Sequence, residues 1–213
     1  MQIIPAIIGE NFQEVKDKIE KVKGFVEWVQ LDVVDGKFAE PESWGVRLGN
    51  NLHLWEPLDL PKIEMHLMVQ RPEAMIDDWI STNVDRIIIH YESDGDKEKM
   101  IEKINKAGVQ AGIALKFETP VEAVKPFLEN IDVVQLMSIA QIGHYGESLD
   151  ERVYDKIKEL RQMSKDITIQ IDGGVNEENA KKLIEAGANH LVIGSAIFKA
   201  ADIKTTIENF QKL

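Results

Sequence analysis

Two aspartates and two histidines carry the first chemical signal in this chain. Asp32 lies in Gln30-Leu31-Asp32-Val33-Val34-Asp35-Gly36, His66 in Glu64-Met65-His66-Leu67-Met68, His90 ends an Arg86–His90 run, and Asp172 opens Asp172-Gly173-Gly174. Each closes a short β-rich run. Carboxylates and imidazoles that converge can hold a hard divalent cation or pass protons. One such residue alone is most simply a hydrogen-bonded strand end; four at the same ends of four strands favour a site. The second signal is glycine. Asp172-Gly173-Gly174-Val175-Asn176 and Gly194-Ser195-Ala196-Ile197-Phe198 each lead from a strand into a helical pattern. Glycines there let backbone N–H groups approach an anion, and a helix start near Ser195 adds its positive end.

The elements that must position these residues alternate along the chain. Strand candidates are 2–8, 28–33, 63–68, 86–90, 110–115, 133–137, 168–171 and 190–193. Helical patterns cover 11–22, 72–81, 97–107, 121–129, 150–163, 177–186 and 203–210. Asn11 suits a helix cap, Pro72 a first turn, and Gly108 and Gly187 the left-handed residue after a helix. The crossover from Lys37 to Lys62 is irregular, with three prolines and a weak helical pattern. Such alternation implies a parallel sheet covered by helices. A single (β/α)8 barrel spanning 1–213 is the natural closure, and an open doubly wound sheet shares the pattern. In a barrel, Asp32, His66, His90 and Asp172 surround one mouth, and the loops after strands seven and eight are the usual phosphate site.

Composition narrows the function. The 37 acidic residues outnumber the 25 Lys and Arg, a net charge of −12, so nucleic acid and anionic membranes are poor partners. An anionic ligand then depends on backbone amides, a helix end or a metal ion. There is no cysteine, which removes disulfides and thiolate metal sites. The N-terminal residues lack a signal-peptide pattern, and no apolar run approaches the roughly 20 residues that span a bilayer. A cytoplasmic location is the expectation.

The same residues resemble the ribulose-phosphate 3-epimerase family, in order and over nearly the whole chain. The matching segments are Pro5-Ala6-Ile7-Ile8, Leu31-Asp32-Val33-Val34-Asp35-Gly36-Lys37-Phe38, Met65-His66-Leu67-Met68-Val69, Ile88-Ile89-His90-Tyr91-Glu92, Thr119-Pro120, Asp172-Gly173-Gly174-Val175-Asn176 and Gly194-Ser195-Ala196-Ile197-Phe198. The resemblance implies a TIM barrel that inverts C3 of a ketose phosphate, D-ribulose 5-phosphate to D-xylulose 5-phosphate. It assigns the two proton-transfer roles to Asp32 and Asp172. It implies a divalent metal (Zn, Mn, Fe or Co) held by Asp32, His66 and Asp172. It places Met68 and Met137 in the site lining and implies association between copies, for which Trp44 or Trp55 could serve as readily as for core packing.

Four positions depart from the family pattern. Gln30 stands where the family has a metal-ligating histidine and is a weaker, neutral donor. Ala6 replaces a serine. Gln141-Ile142-Gly143-His144-Tyr145-Gly146 rewrites a loop in which only Gly143 and Gly146 stand in for phosphate-side glycines. Lys116-Phe117 replaces Asn-Pro. Lys116 at a barrel mouth could hold phosphate, replace a metal's charge, form a Schiff base, or simply be solvated. These differences keep three alternatives in view: an epimerase for another sugar phosphate such as a hexulose 6-phosphate, a lyase of a related barrel, and a non-catalytic sugar-phosphate binder. His190, at a strand start, reads as structural. His53 lies in the irregular crossover and His144 in the rewritten loop, where a surface imidazole is the simplest reading.

Overall fold

A computed structural model of the chain describes residues 1–46, 61–143 and 146–213. Eight parallel strands run in sequence order and close on themselves: β1 Gln2–Ile7, β2 Trp28–Val34, β3 Lys62–Met68, β4 Arg86–His90, β5 Gln110–Leu115, β6 Val133–Met137, β7 Thr168–Asp172 and β8 His190–Ile193. The closing pair is β1 with β8, where Gln2 meets His190 and Pro5 meets Ile193. The barrel, not the open sheet, is therefore the fold.

Every strand obeys a two-residue period. Odd-numbered β2 residues (Val29, Leu31, Val33) face the helices, as do Ile63, Met65 and Leu67 of β3 and Ile169 and Ile171 of β7. This outer layer packs against α1 Phe12–Val22, α2 Ile76–Ile80, α3 Lys97–Lys106, α4 Val153–Met163, α5 Glu177–Ala186, α6 Ser195–Phe198 and α7 Ile203–Gln211. The other face fills the barrel. Part of that filling is apolar, with Ile4, Ala6, Trp28 and Val192 in one cluster and Ile88, Ala114 and Val133 in another. The rest is polar and fully buried: Gln30, Glu64, His66, His90, Gln135 and Gln170 all have no exposed surface.

Local signals explain most boundaries. Asn11 caps α1 by accepting from the Glu14 N–H, and Gly108 and Gly187 take positive φ after α3 and α5. Two helical expectations are corrected. The 121–129 segment is a 310 turn, Val121–Phe127, because Pro126 inside it has no N–H to donate. The 72–81 segment divides into a 310 turn at Pro72–Ala74 and α2, with Met75 between them at a non-helical φ of −130°. The helix expected from Asp150 begins at Val153. Trp44, a candidate interface residue, packs into the core layer against Phe12 and Trp79, with ring centroids 5.3 and 6.0 Å away. His53, Trp55 and His144 lie outside the described residues, as does most of the irregular crossover. No helix among the described residues is long and apolar enough to cross a membrane.

Candidate active site

Register decides which polar side chains meet. Asp32 on β2 pairs with His66 on β3, and Met137 on β6 pairs with Asp172, the last residue of β7. Their side chains point inward at the C-terminal mouth. His66 Nδ1 lies 3.0 Å from Asp32 Oδ1 and 3.4 Å from Asp172 Oδ2. One ligand atom from each of the three residues falls within 4.8 Å of the other two. Two carboxylate oxygens and one imidazole nitrogen at this spacing suit a divalent cation of hard or borderline character. They are the residues that could hold one.

The tautomer of His66 follows from its neighbours. Glu92, an acceptor when ionised, lies 3.2 Å from His90 Nδ1, so that nitrogen carries the hydrogen. His90 Nε2 is then an acceptor, and it faces His66 Nε2 at 2.9 Å. His66 must donate from Nε2. Its Nδ1 is left turned between the two aspartates, ready for a proton or a cation. Electrostatics agree with this order. Burial pushes His90 down to about 4, so its ring is neutral, with Glu92 opposing only in part. Glu92 itself is penalised by burial, but hydrogen bonds from His90 and Thr119 prevail and bring it to about 2. Burial is the largest single effect and disfavours charge on His66, but the Asp32 hydrogen bond together with the charges of Asp32, Asp172 and Glu64 prevails and raises its pKa.

The two aspartates share contacts with His66 and Gln30. Asp172 is pushed up to about 7, first by burial and then by the Asp32 charge. The two side chains are about equally exposed, 11% for Asp32 and 12% for Asp172. Gln30 joins them, its Nε2 donating to Asp32 Oδ1 at 2.7 Å and to Asp172 Oδ2 at 2.9 Å. Gln30 thus shows the site its amide hydrogens, while its carbonyl accepts from Gln170. A second glutamine, Gln135 on β6, donates to Asp172 Oδ2 at 2.8 Å.

Above these groups opens a pocket of about 50 Å³ whose lining includes Asp32, Asp172, Ala6, Met68 and Met137 together with Gly143, Gly146, Gly173, Gly174, Gly194 and Ser195. The glycine loops and the carboxylates named from sequence share one cavity. The α5 N-terminus does not face it with unused amides, because Asn176 caps the Glu178 and Asn179 N–H groups in a capping box. The short α6 start after Gly194 has no side-chain cap. Two residues fall elsewhere. His90 lies beneath His66, and Lys116 borders a neighbouring cavity with Phe38 and Gln141, its Nζ 3.7 Å from the Phe38 ring centre.

Sequence reasoning passed over Gln135, Glu92 and Glu64. Glu92 stands within a quoted motif, two residues after a site histidine, which was the signal available. Gln135 interrupts an otherwise apolar strand, and that irregularity was its only mark.

A family model described as the Ribulose-phosphate 3 epimerase family matches residues 2–198. The chain belongs to the ribulose-phosphate 3-epimerase family. A ribulose-phosphate 3-epimerase of Bacillus subtilis (strain 168) is 33% identical over 218 residues, covering 99% of this chain and 98% of its own. The chloroplastic ribulose-5-phosphate-3-epimerase of Arabidopsis thaliana is 33% identical, covering 98% of this chain and 75% of its own. These relatives are carbohydrate epimerases, and the chain falls with them among the isomerases. Solved structures agree on the fold. KGPDC from Streptococcus mutans in complex with D-R5P superposes with a TM-score of 0.74 at 15% identity, covering 99% of this chain and 95% of that one. The 3-hexulose-6-phosphate synthase from Salmonella typhimurium gives 0.71 at 17% identity, covering 100% and 97%.

Proposed function

We propose that this family member inverts C3 of a ketose 5-phosphate, D-ribulose 5-phosphate to D-xylulose 5-phosphate, by two-base proton transfer between Asp32 and Asp172. The observation that carries the reading is the pair of inward-facing aspartates within one glycine-lined pocket, with Asp172 pushed up by burial and the Asp32 charge. The reaction removes a proton from an unactivated carbon beside a ketone and returns one to the opposite face. It therefore needs one carboxylate and one carboxylic acid at the same moment. Asp172, raised to about 7, supplies the acid, and Asp32 supplies the base; the reverse reaction exchanges the roles. Gln30 and Gln135 hold the Asp172 carboxyl in place from below. His66 faces both aspartates and holds its Nδ1 toward the reacting centre.

A divalent cation held by Asp32, His66 and Asp172 would offset the negative charge that develops on the substrate oxygens, worth several kcal/mol. Backbone amides of the Gly173-Gly174 and Gly194-Ser195 loops would take the phosphate. Met68 and Met137 wall the pocket and keep water from the deprotonated carbon. Lys116 has no part in this chemistry, since it lies outside the cavity that the aspartates line. A small-molecule sugar phosphate is thus the expected partner, within the cytoplasm.

The test is proton NMR of ribulose 5-phosphate in D2O with metal-free and metal-supplemented protein. Loss of the C3 proton signal with the native protein is expected. Asp32→Asn and Asp172→Asn should each slow exchange by about 10²–10⁴-fold. Folded, metal-supplemented protein that exchanges no C3 proton would sink the reading.

A further inference from the structure

Below the aspartates a line of side chains runs down the barrel axis toward its N-terminal end. Gln170 on β7 donates from Nε2 to the Gln135 carbonyl at 2.8 Å, to Glu64 Oε1 at 2.7 Å, and more distantly to the Gln30 carbonyl at 3.2 Å. The other oxygen of Glu64 accepts from Arg86 Nη1 at 2.6 Å. Arg86 also donates from Nε and Nη2 to Gln110, at 2.9 and 2.7 Å. The Gln170 carbonyl faces His190 Nδ1 at 3.1 Å. Glu64, Gln135, Gln170 and Gln30 are without exposed surface, so no water competes for these groups.

A primary amide can turn end for end, and its neighbours decide which end faces where. Here the decision traces back to a single ion pair. Glu64 accepts on both oxygens, so Gln170 must present its NH2 to it. That NH2 also meets the carbonyls of Gln135 and Gln30, which turns their own NH2 groups upward. Both upper amides then donate to Asp172, and Gln30 to Asp32 as well. We infer that Glu64, held by Arg86 on the barrel floor, is a positioning residue that sets the polarity of the three-glutamine array and so fixes amide hydrogens, not carbonyl oxygens, against the catalytic aspartates. The inference rests on the proposed role of Asp32 and Asp172. It extends that role by giving the epimerase site a control point one layer below it.

Glu64→Gln separates this account from a simple charge effect, because the two predict opposite signs. Arg86 is always a donor, so it takes the new carbonyl and leaves an NH2 facing Gln170. Gln170 then turns its carbonyl to that NH2, Gln135 and Gln30 follow, and two carbonyl oxygens rise beside Asp32, His66 and Asp172. An added oxygen donor tightens a hard cation, so the Mn2+ dissociation constant, read by paramagnetic resonance of the free ion, should fall about tenfold. Loss of a negative charge alone would weaken Mn2+ binding. Glu64→Asp, which still accepts on two oxygens, should keep the native constant.

Neutron diffraction of perdeuterated crystals reads the amide directly and needs neither a cation nor a substitution. Deuterons of Gln30 and Gln135 pointing at Asp172 in the native protein, reversed in folded Glu64→Gln, are the expected result. Carbonyls facing Asp172 in the native protein would overturn the inference. So would Glu64→Gln that keeps the native polarity, or that binds Mn2+ with equal or weaker affinity. Should Glu64→Gln fail to fold, the native neutron map decides alone. Neither readout involves C3 exchange, so protein with this signature that exchanges no C3 proton would overturn the epimerase reading and leave the polarity assignment standing.

Discussion

Asp172 makes a pH-dependent contribution whose sign is fixed by its surroundings. Its carboxyl is raised from an ordinary 3.8 to about 7 by burial and the Asp32 charge. In the unfolded chain it ionises near its ordinary value. Below that value both states hold the proton and the folded protein bears no penalty. As pH rises toward and through 7, the folded state resists an ionisation that the unfolded state has already completed, and stability is lost. With metal chelated, Asp172→Asn should therefore melt above the native protein at pH 8, with the gap narrowing toward pH 5. A constant gap across thermal melts at several pH values would contradict this. Asp32, His66 and Asp172 were legible in the sequence because each lies in the C-terminal part of a strand that a parallel barrel aims at one mouth. Gln135 was not, because its partner Asp172 is 37 residues away and meets it only through the β6–β7 register. Glu64 and Arg86 were hidden for the same reason.

At the level of elements, the β7–α5 turn is the least forgiving part of the site. Gly174 has φ +65°, and a Cβ there would collide with the backbone of Leu149. Gly146 has φ +109° but open space around the same position. Gly174→Ala should cost about 2 kcal/mol or more and weaken sugar-phosphate binding, whereas Gly146→Ala should cost only about 1 kcal/mol from backbone strain. Urea unfolding of the two variants compares them; equal losses would mean that the contact with Leu149 yields. Strands were the most readable elements, since β-branched runs with a two-residue period needed no tertiary help. Two helical patterns give way where chain geometry overrides periodicity, at Pro126 inside the 310 turn and at Met75, whose φ of −130° is not helical.

The whole molecule carries a net charge of −12, and among the described residues the pocket is lined by Asp32, Asp172 and Glu147 without a lysine or arginine. A doubly charged phosphate therefore approaches against the protein's field. Raising NaCl from about 10 to about 150 mM shortens the screening length from about 30 to about 8 Å. We predict that kcat/KM for the sugar phosphate rises several-fold over that range, measured at fixed pH and metal concentration; a fall would point to a local cation at the entrance. Eight strands and the family resemblance name the barrel, and the structure bears it out, while alternation alone fits an open sheet equally well. Only the β1–β8 pairing separates the two, and it joins residues at opposite ends of the chain. That closure bears on how the molecule can be divided. Gln30, Glu64 and Arg86 come from the first four strands, and Gln135, Gln170 and His190 from the last four. Cleaving the gene at the exposed Gly108 turn would give two half-barrels, each with buried polar groups whose partners are on the other piece, Gln30 with Asp172 and Gln170, and Glu64 with Gln170. Each fragment alone should be insoluble or loosely packed, and the two should assemble when made together, so that the chain folds as a pair of mutually dependent halves.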